Sequence, residues 1–231
     1  MRFYGLQKMT LLDFPGKVAC TLFTGGCNFR CPFCHNASLV TEWDAAGDSL
    51  SEEEVLAFLD GRRGLLDGVA VTGGEPLLNP DLPAFLKKVR ALGFAVKLDT
   101  NGSFPDRLEE ILHGGLADYV AVDLKNCPEK FAATVGLPSF DRAAFERSMT
   151  LLRESGVEYE YRTTVVIEYH TVADSAAAAQ WLAGAPRYYL QAFVDSGALI
   201  QGGLHPVDKA EMEQMRAAAA PFVGLCAIRG V

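Results

Sequence analysis

The chain has 231 residues, a net charge of −8 and 49% apolar residues, enough to bury a sizeable core at this length. Its acidic balance and lack of any Lys/Arg run argue against a nucleic-acid partner. MRFYGLQKMTLLDF carries no apolar core with a small-residue cleavage site, and no stretch nears the roughly 20 apolar residues of a membrane span. A cytoplasmic protein is expected, in which the six cysteines read as metal ligands or free thiols rather than disulfides.

Strand and helix alternate along the chain. Residues 17–23 (KVACTLF) predict the first strand. Ser51, with Glu54 three residues on, forms a capping box ahead of Val55, Leu56, Phe58 and Leu59. Residues 68–72 (GVAVT) make a short buried strand that runs into Gly73-Gly74. A helix over 81–92 closes at Gly93, a strand follows over 94–99, and a helix around 105–113 ends at Gly114-Gly115. Residues 119–124 (YVAVDL) predict the fourth strand. Ser139 is the predicted cap of a helix that runs to residue 155 and stops at Gly156. The fifth strand is 159–167, the next helix 174–183, the sixth strand 188–194 and the last long helix 207–220. Residues 222–229 add a final strand or pack against the others.

This alternation implies parallel strands with right-handed crossovers. Six units are too few for a closed eight-stranded barrel, so the predicted fold is α/β, a partial (open) parallel β/α barrel of about six strands. No repeat, low-complexity tract or linker interrupts it, and residues 1–231 read as a single domain.

Directly after the first strand comes Gly26-Cys27-Asn28-Phe29-Arg30-Cys31-Pro32-Phe33-Cys34-His35-Asn36. The spacing C-x3-C-x2-C lets one loop bring three thiolates to one side of a compact metal centre, which suits an iron–sulfur cluster or zinc. For zinc, His35 would be the fourth ligand, but zinc motifs pair two close ligands with a distant pair, and Cys20, Cys127 and Cys226 each stand alone. Three ligands on a cubane leave one iron open. Downstream, Val71-Thr72-Gly73-Gly74-Glu75-Pro76, Leu98-Asp99-Thr100-Asn101-Gly102 and Val122-Asp123-Leu124-Lys125 end three successive strands, where a parallel barrel faces its active site. Paired glycines allow close approach to a ligand, and Glu75 offers a carboxylate to a cationic amino group.

With its aromatic residue before the last cysteine, the cysteine motif resembles the signature of the radical S-adenosylmethionine superfamily. The resemblance implies a [4Fe–4S] cluster on Cys27, Cys31 and Cys34 whose open iron chelates S-adenosylmethionine. One electron then cleaves the sulfonium to give a 5′-deoxyadenosyl radical. GGE resembles the family element that meets the cofactor's amino group. The DTNG and DLK segments, and the CHN after the last cysteine, resemble glycyl-radical-enzyme activating enzymes. That resemblance implies cofactor contacts at Phe33, Asn36, Gly73, Gly74, Glu75, Asp99, Asp123 and Lys125, with a monovalent cation held by Asp99 and Asp123.

Leu12-Asp13-Phe14-Pro15-Gly16-Lys17 resembles the D-G-P-G loop of such activators, which implies that Asp13 contacts the protein substrate; the local reading is a plain turn. The nearest resemblance is to the short anaerobic ribonucleoside-triphosphate reductase activating proteins. It implies a glycyl radical enzyme as partner, a flavodoxin or similar reductant, and no second cluster. Leu190-Gln191-Ala192-Phe193 stands where formate-lyase activators carry Pro-Tyr-His, which leaves the ribose contacts unassigned. A formate-lyase-type activator, a radical enzyme on a small molecule or peptide, and a non-catalytic iron–sulfur protein are the alternatives. Arg162 reads either as a barrel-facing carboxylate binder or as an external charge. His113, His170 and His205 read as surface or capping residues, and Cys20 as a small hydrophobe.

Overall fold

The computed structural model describes residues 1–43, 49–195 and 197–230. β1 (Arg2–Phe3) and β2 (Gly5–Thr10) lead into β3 (Ala19–Thr24), followed by the short α1 (Ala37–Thr41) and β4 (Leu50–Ser51). Alternation then sets in: α2 (Glu52–Asp60), β5 (Gly68–Gly73), α3 (Leu82–Ala91), β6 (Ala95–Thr100), α4 (Pro105–His113) and β7 (Tyr119–Asp123). The one-turn α5 (Phe131–Thr134) precedes α6 (Arg142–Ser155), β8 (Glu158–Val165), α7 (Val172–Trp181), β9 (Arg187–Ala192), α8 (Lys209–Ala219) and β10 (Leu225–Arg229).

The main sheet runs β10-β9-β8-β7-β6-β5-β3-β2, while β1 pairs separately with β4. Every pairing from β3 to β10 is parallel, and β2 closes one edge antiparallel. The open parallel β/α barrel is therefore present, with more strands than expected. Residues 225–229 form a true strand on β9. The edge strand β2 has Gln7, Lys8 and Met9 all exposed, so it carries no apolar alternation to read. β10 and β2 are the two free edges, and the barrel is open between them. No helix among the described residues is long and apolar enough to cross a membrane.

Local chemistry sets the helix ends. Ser51 and Glu54 form both bonds of the capping box on α2. On α6 the cap is Asp141, whose carboxylate accepts from the Ala144 N–H at 3.0 Å, and not Ser139. Both residue types cap well, so only the position of the first turn decides between them.

Alternation divides the faces of the sheet. Val69, Val71, Val96, Leu98, Val120 and Val122 are buried in the main apolar core. Ala19, Ala95 and Ala121 are small inward residues grouped around Phe14 and Tyr119. The Phe14 ring lies 6.2 Å from that of Tyr119, and a Cβ on Gly68 would come within 2.9 Å of it. Because Gly68, Ala95 and Tyr119 begin their strands, Phe14 closes the N-terminal end of the barrel. Above it Glu160, 1% exposed, accepts from Arg229 at 2.7 and 2.9 Å and from the Tyr119 hydroxyl at 2.6 Å. Side chains thus occupy the lower barrel, and a cavity lies at the end where the parallel strands finish.

Candidate active site

The cysteine loop leaves β3 through Gly26 at φ +81°, a conformation that only glycine adopts cheaply. Backbone and side-chain bonds then hold it in place. Gly26 N–H donates to Leu39 O at 2.8 Å and Arg30 N–H to Val135 O at 2.9 Å. The Arg30 guanidinium donates to Cys27 O at 2.5 Å and to Phe29 O at 2.8 Å. Two donors reach the Cys27 sulfur: the Phe29 N–H at 3.4 Å and the Asn101 amide at 3.9 Å. Asn101 also donates to Asn28 Oδ1 at 2.8 Å, which ties the loop to the end of β6. Burial pushes the Cys27 thiol up to about 11 and the Cys31 thiol up to about 12, so ligation here is coupled to proton release.

All three cysteines line one cavity of about 410 Å³, within the range of small-molecule sites. Asp13, Phe33, Asn36, Gly73, Gly74, Asp99, Asp123 and Lys125 line it too. The structure therefore brings together every sequence-predicted site residue except Glu75. That carboxylate is fully buried and turned into the protein. Its Oε1 accepts from the Leu77 N–H at 3.0 Å and the Thr100 hydroxyl at 2.8 Å, and its Oε2 from the Asn101 N–H at 2.7 Å. Glu75 is a staple between the ends of β5 and β6, and in this structure its carboxylate does not line the cavity. A strand-end carboxylate can turn either way, and here three donors on the protein side hold it.

The glycines ahead of it have a steric reason. Gly74 N–H donates to Thr24 O at 2.9 Å and Glu75 N–H to Gly26 O at 2.7 Å, so this turn is stitched directly onto the cysteine loop. A Cβ on Gly73 would stand 2.3 Å from Thr24 N, and one on Gly74 1.9 Å from Gly26 O. Asn36 donates to Gly73 O at 3.2 Å from the other side. Gly74→Ala is expected to cost about 1–3 kcal/mol through overpacking and to lower the iron retained after reconstitution. Gly61→Ala, whose new Cβ meets nothing nearer than 3.6 Å, should change neither. Equal iron content in both variants would disprove the close-approach argument.

Opposite the cysteines, β6, β7 and β8 supply a charged face. Arg162 points into the barrel and bridges Asp99 and Asp123, so the barrel-facing reading holds and the external one falls. Burial alone would raise the Asp123 carboxyl, but the Arg162 guanidinium and the Lys125 ammonium outweigh it and hold it well below the usual carboxylate range. Burial likewise opposes the Lys125 charge, and Asp123 more than restores it.

His170 was expected at the surface or as a cap, yet it is buried. One ring nitrogen lies 2.8 Å from Lys125 O, and the other accepts from the Val166 N–H at 3.1 Å. The first of these nitrogens is Nε2, and the second, Nδ1, also lies 3.2 Å from Val166 O; burial lowers the proton affinity of the ring. It fixes the backbone that carries Lys125 and packs against Phe33 with ring centroids 6.0 Å apart. No sequence signal distinguishes it from His205, which is exposed and pairs with Glu168. Cys20, Cys127 and Cys226 are buried away from the cavity.

The donor set fits the implied cluster. Among the described residues no three His, Cys, Asp or Glu side chains close around a single ion. Three thiols from one loop, all lining one cavity, suit a cubane, which spreads its ligands over three irons. The comparisons agree. The radical SAM superfamily model matches residues 21–182. A candidate glycyl-radical enzyme activating enzyme of Methanocaldococcus jannaschii is 28% identical over 193 residues, 82% of this chain and 78% of that protein. The pyruvate formate-lyase-activating enzyme of Clostridium pasteurianum is 35% identical over 131 residues, 54% of this chain and 52% of that one. Among solved structures, Streptococcus suis SuiB bound to S-adenosylmethionine superposes with a TM-score of 0.67 at 13% identity, covering 91% of this chain and 52% of SuiB. The chain thus spans about half the length of the last two.

An open parallel barrel with a three-cysteine loop over its mouth is the radical SAM arrangement, and this chain belongs to the radical SAM superfamily. It is an oxidoreductase whose cofactors are a [4Fe–4S] cluster and S-adenosylmethionine.

Proposed function

We propose that this chain is a glycyl-radical-enzyme activating enzyme: it removes a hydrogen atom from a backbone glycine of a partner protein. Its expected partner is an anaerobic ribonucleoside-triphosphate reductase, with a flavodoxin-type electron donor. The observation that carries the reading is the lateral opening of the barrel. The cavity reaches from Asp13, on the loop after edge strand β2, to Gln191 and Ala192 at the end of β9. β2 and β10 remain unpaired with each other. Leu11 and Leu12, directly before Asp13, are 68% and 91% exposed, an apolar lip that suits a protein surface better than a metabolite. The activating-enzyme names of two relatives support the same assignment.

The protein's own work is positioning. Cys27, Cys31 and Cys34 hold the cluster, with N–H donors at Cys27 stabilising its thiolate. When bound, the cluster and S-adenosylmethionine together supply one-electron cleavage and a carbon radical able to take a hydrogen atom. Lys125 and Arg162 offer positive charge to the cofactor's carboxylate, and the Gly73-Gly74 turn lets the cofactor lie close to backbone. Asp13 accepts from the Thr21 hydroxyl at 2.5 Å, which orients its carboxylate at the lip, where it would accept from peptide N–H groups of an entering glycine loop. No general base is required.

The test is anaerobic reconstitution with dithionite, S-adenosylmethionine and purified reductase, read by electron paramagnetic resonance. A glycyl radical doublet on the reductase, weakened in Asp13→Ala while cofactor cleavage without partner continues, is the expected result. Cofactor cleavage with no radical on the reductase or on a formate-lyase would reject activation and point to a small-molecule or peptide substrate.

A further inference from the structure

All four carboxylate oxygens of Asp99 and Asp123 are already taken by protein cations. Lys97, 1% exposed, pairs with Asp99 Oδ1. The Arg162 guanidinium lies 3.3 Å from Asp99 Oδ2 and donates to Asp123 Oδ1 from Nε at 3.0 Å, with Nη2 at 2.9 Å. Lys125 donates to Asp123 Oδ2 at 3.0 Å. A hard metal ion binds through oxygen ligands. Between these aspartates it would have to displace a guanidinium that stays charged at any working pH, and it would sit against three positive charges.

The monovalent cation implied by the activating-enzyme resemblance therefore does not fit this pair of residues. We propose that Arg162, backed by Lys97, is a built-in counter-cation for Asp99 and Asp123, so that the cofactor site works without a monovalent metal ion. The inference rests on the reading of these aspartates as cofactor-facing. Three cations against two carboxylates leave an excess of one positive charge on this face, the complement of a bound carboxylate. A guanidinium spans both aspartates with fixed N–H directions, which a spherical ion cannot do. It also remains in place when the cofactor leaves, so the face is preorganised between turnovers.

The test uses the full chain without cluster or cofactor, under reductant. Thermal unfolding is recorded in sodium, potassium and tetramethylammonium chloride at constant ionic strength. Wild-type midpoints are expected to coincide in all three salts. Arg162→Gln, which empties the gap of charge, is expected to gain a saturable rise of about 2–4 °C in sodium or potassium over tetramethylammonium. Arg162→Met, which also removes the guanidinium from between Asp99 and Asp123, serves the same purpose should Arg162→Gln not fold. A saturable, ion-specific rise in the wild type would overturn the proposal, and so would folded variants indifferent to all three salts. Failure of the wild type to form 5′-deoxyadenosine would instead count against the cofactor reading and leave the salt series readable.

Discussion

Replacing Cys31 by alanine is expected to reduce 5′-deoxyadenosine formation to background while leaving the fold standing. The thiol is 7% exposed and packs with apolar neighbours, so in the cluster-free protein it behaves as a small hydrophobe, and its loss costs about 1 kcal/mol. As one of the three proposed ligands on a single loop it has no substitute, because Cys20, Cys127 and Cys226 do not line the cavity. Iron and sulfide content after reconstitution should fall with the activity, and the cluster-free unfolding midpoint should barely move. Cys226→Ala is the matched control and should keep both cluster and cleavage. A Cys31→Ala protein that still cleaved the cofactor at the wild-type rate would overturn the ligand assignment.

Glu75→Ala is expected to be a stability mutant first. Removing the carboxylate strands the Leu77 and Asn101 N–H groups in a buried site, at roughly 1–3 kcal/mol each. The sum, about 2–6 kcal/mol, lowers the unfolding midpoint of the cluster-free protein by roughly 5–20 °C at this chain length. Glu75→Gln keeps the shape but turns an NH2 toward a donor, and should lose about 1–3 kcal/mol.

A pH signature accompanies this loss. Burial pushes the Glu75 carboxyl up to about 7, against the N–H bonds from Asn101 and Leu77. The folded protein thus holds this proton more tightly than the unfolded chain, where the ordinary value is 4.5. Between these values the folded state binds more protons, so this group makes stability fall as pH rises toward about 7 and adds no slope above it. That component should be missing from Glu75→Gln. Calorimetry across the window decides the matter: unchanged midpoints in both variants, with weakened cofactor binding alone, would restore Glu75 to the cavity.

Phe14 shows where pattern and structure part. In the sequence it separates Asp13 from Pro15-Gly16 and spoils the match to D-G-P-G. In the fold it packs under Ala19, Ala121 and Tyr119, with Gly68 leaving room for its ring, and Asp13 still reaches the cavity. Edge strand β2 went unread for a different reason: with one side solvated and mixed side chains, it has no periodicity to detect.

Short-range chemistry was legible from the chain alone. The C-x3-C-x2-C loop, the strand–helix alternation and the capping box on α2 are local, because ligand spacing, burial period and cap geometry act over a few residues. So was the gathering of GGE, DTNG and DLK at one end of the sheet, since parallel strands put all their C-terminal ends together. The direction and partners of individual side chains were settled by tertiary structure. Arg162 closes on Asp99 and Asp123, 63 and 39 residues away, His170 on Lys125 at 45, and Glu75 on Asn101 at 26. Which donor meets which carboxylate depends on strand register and on what is excluded from water, and neither is encoded at the separations a motif spans.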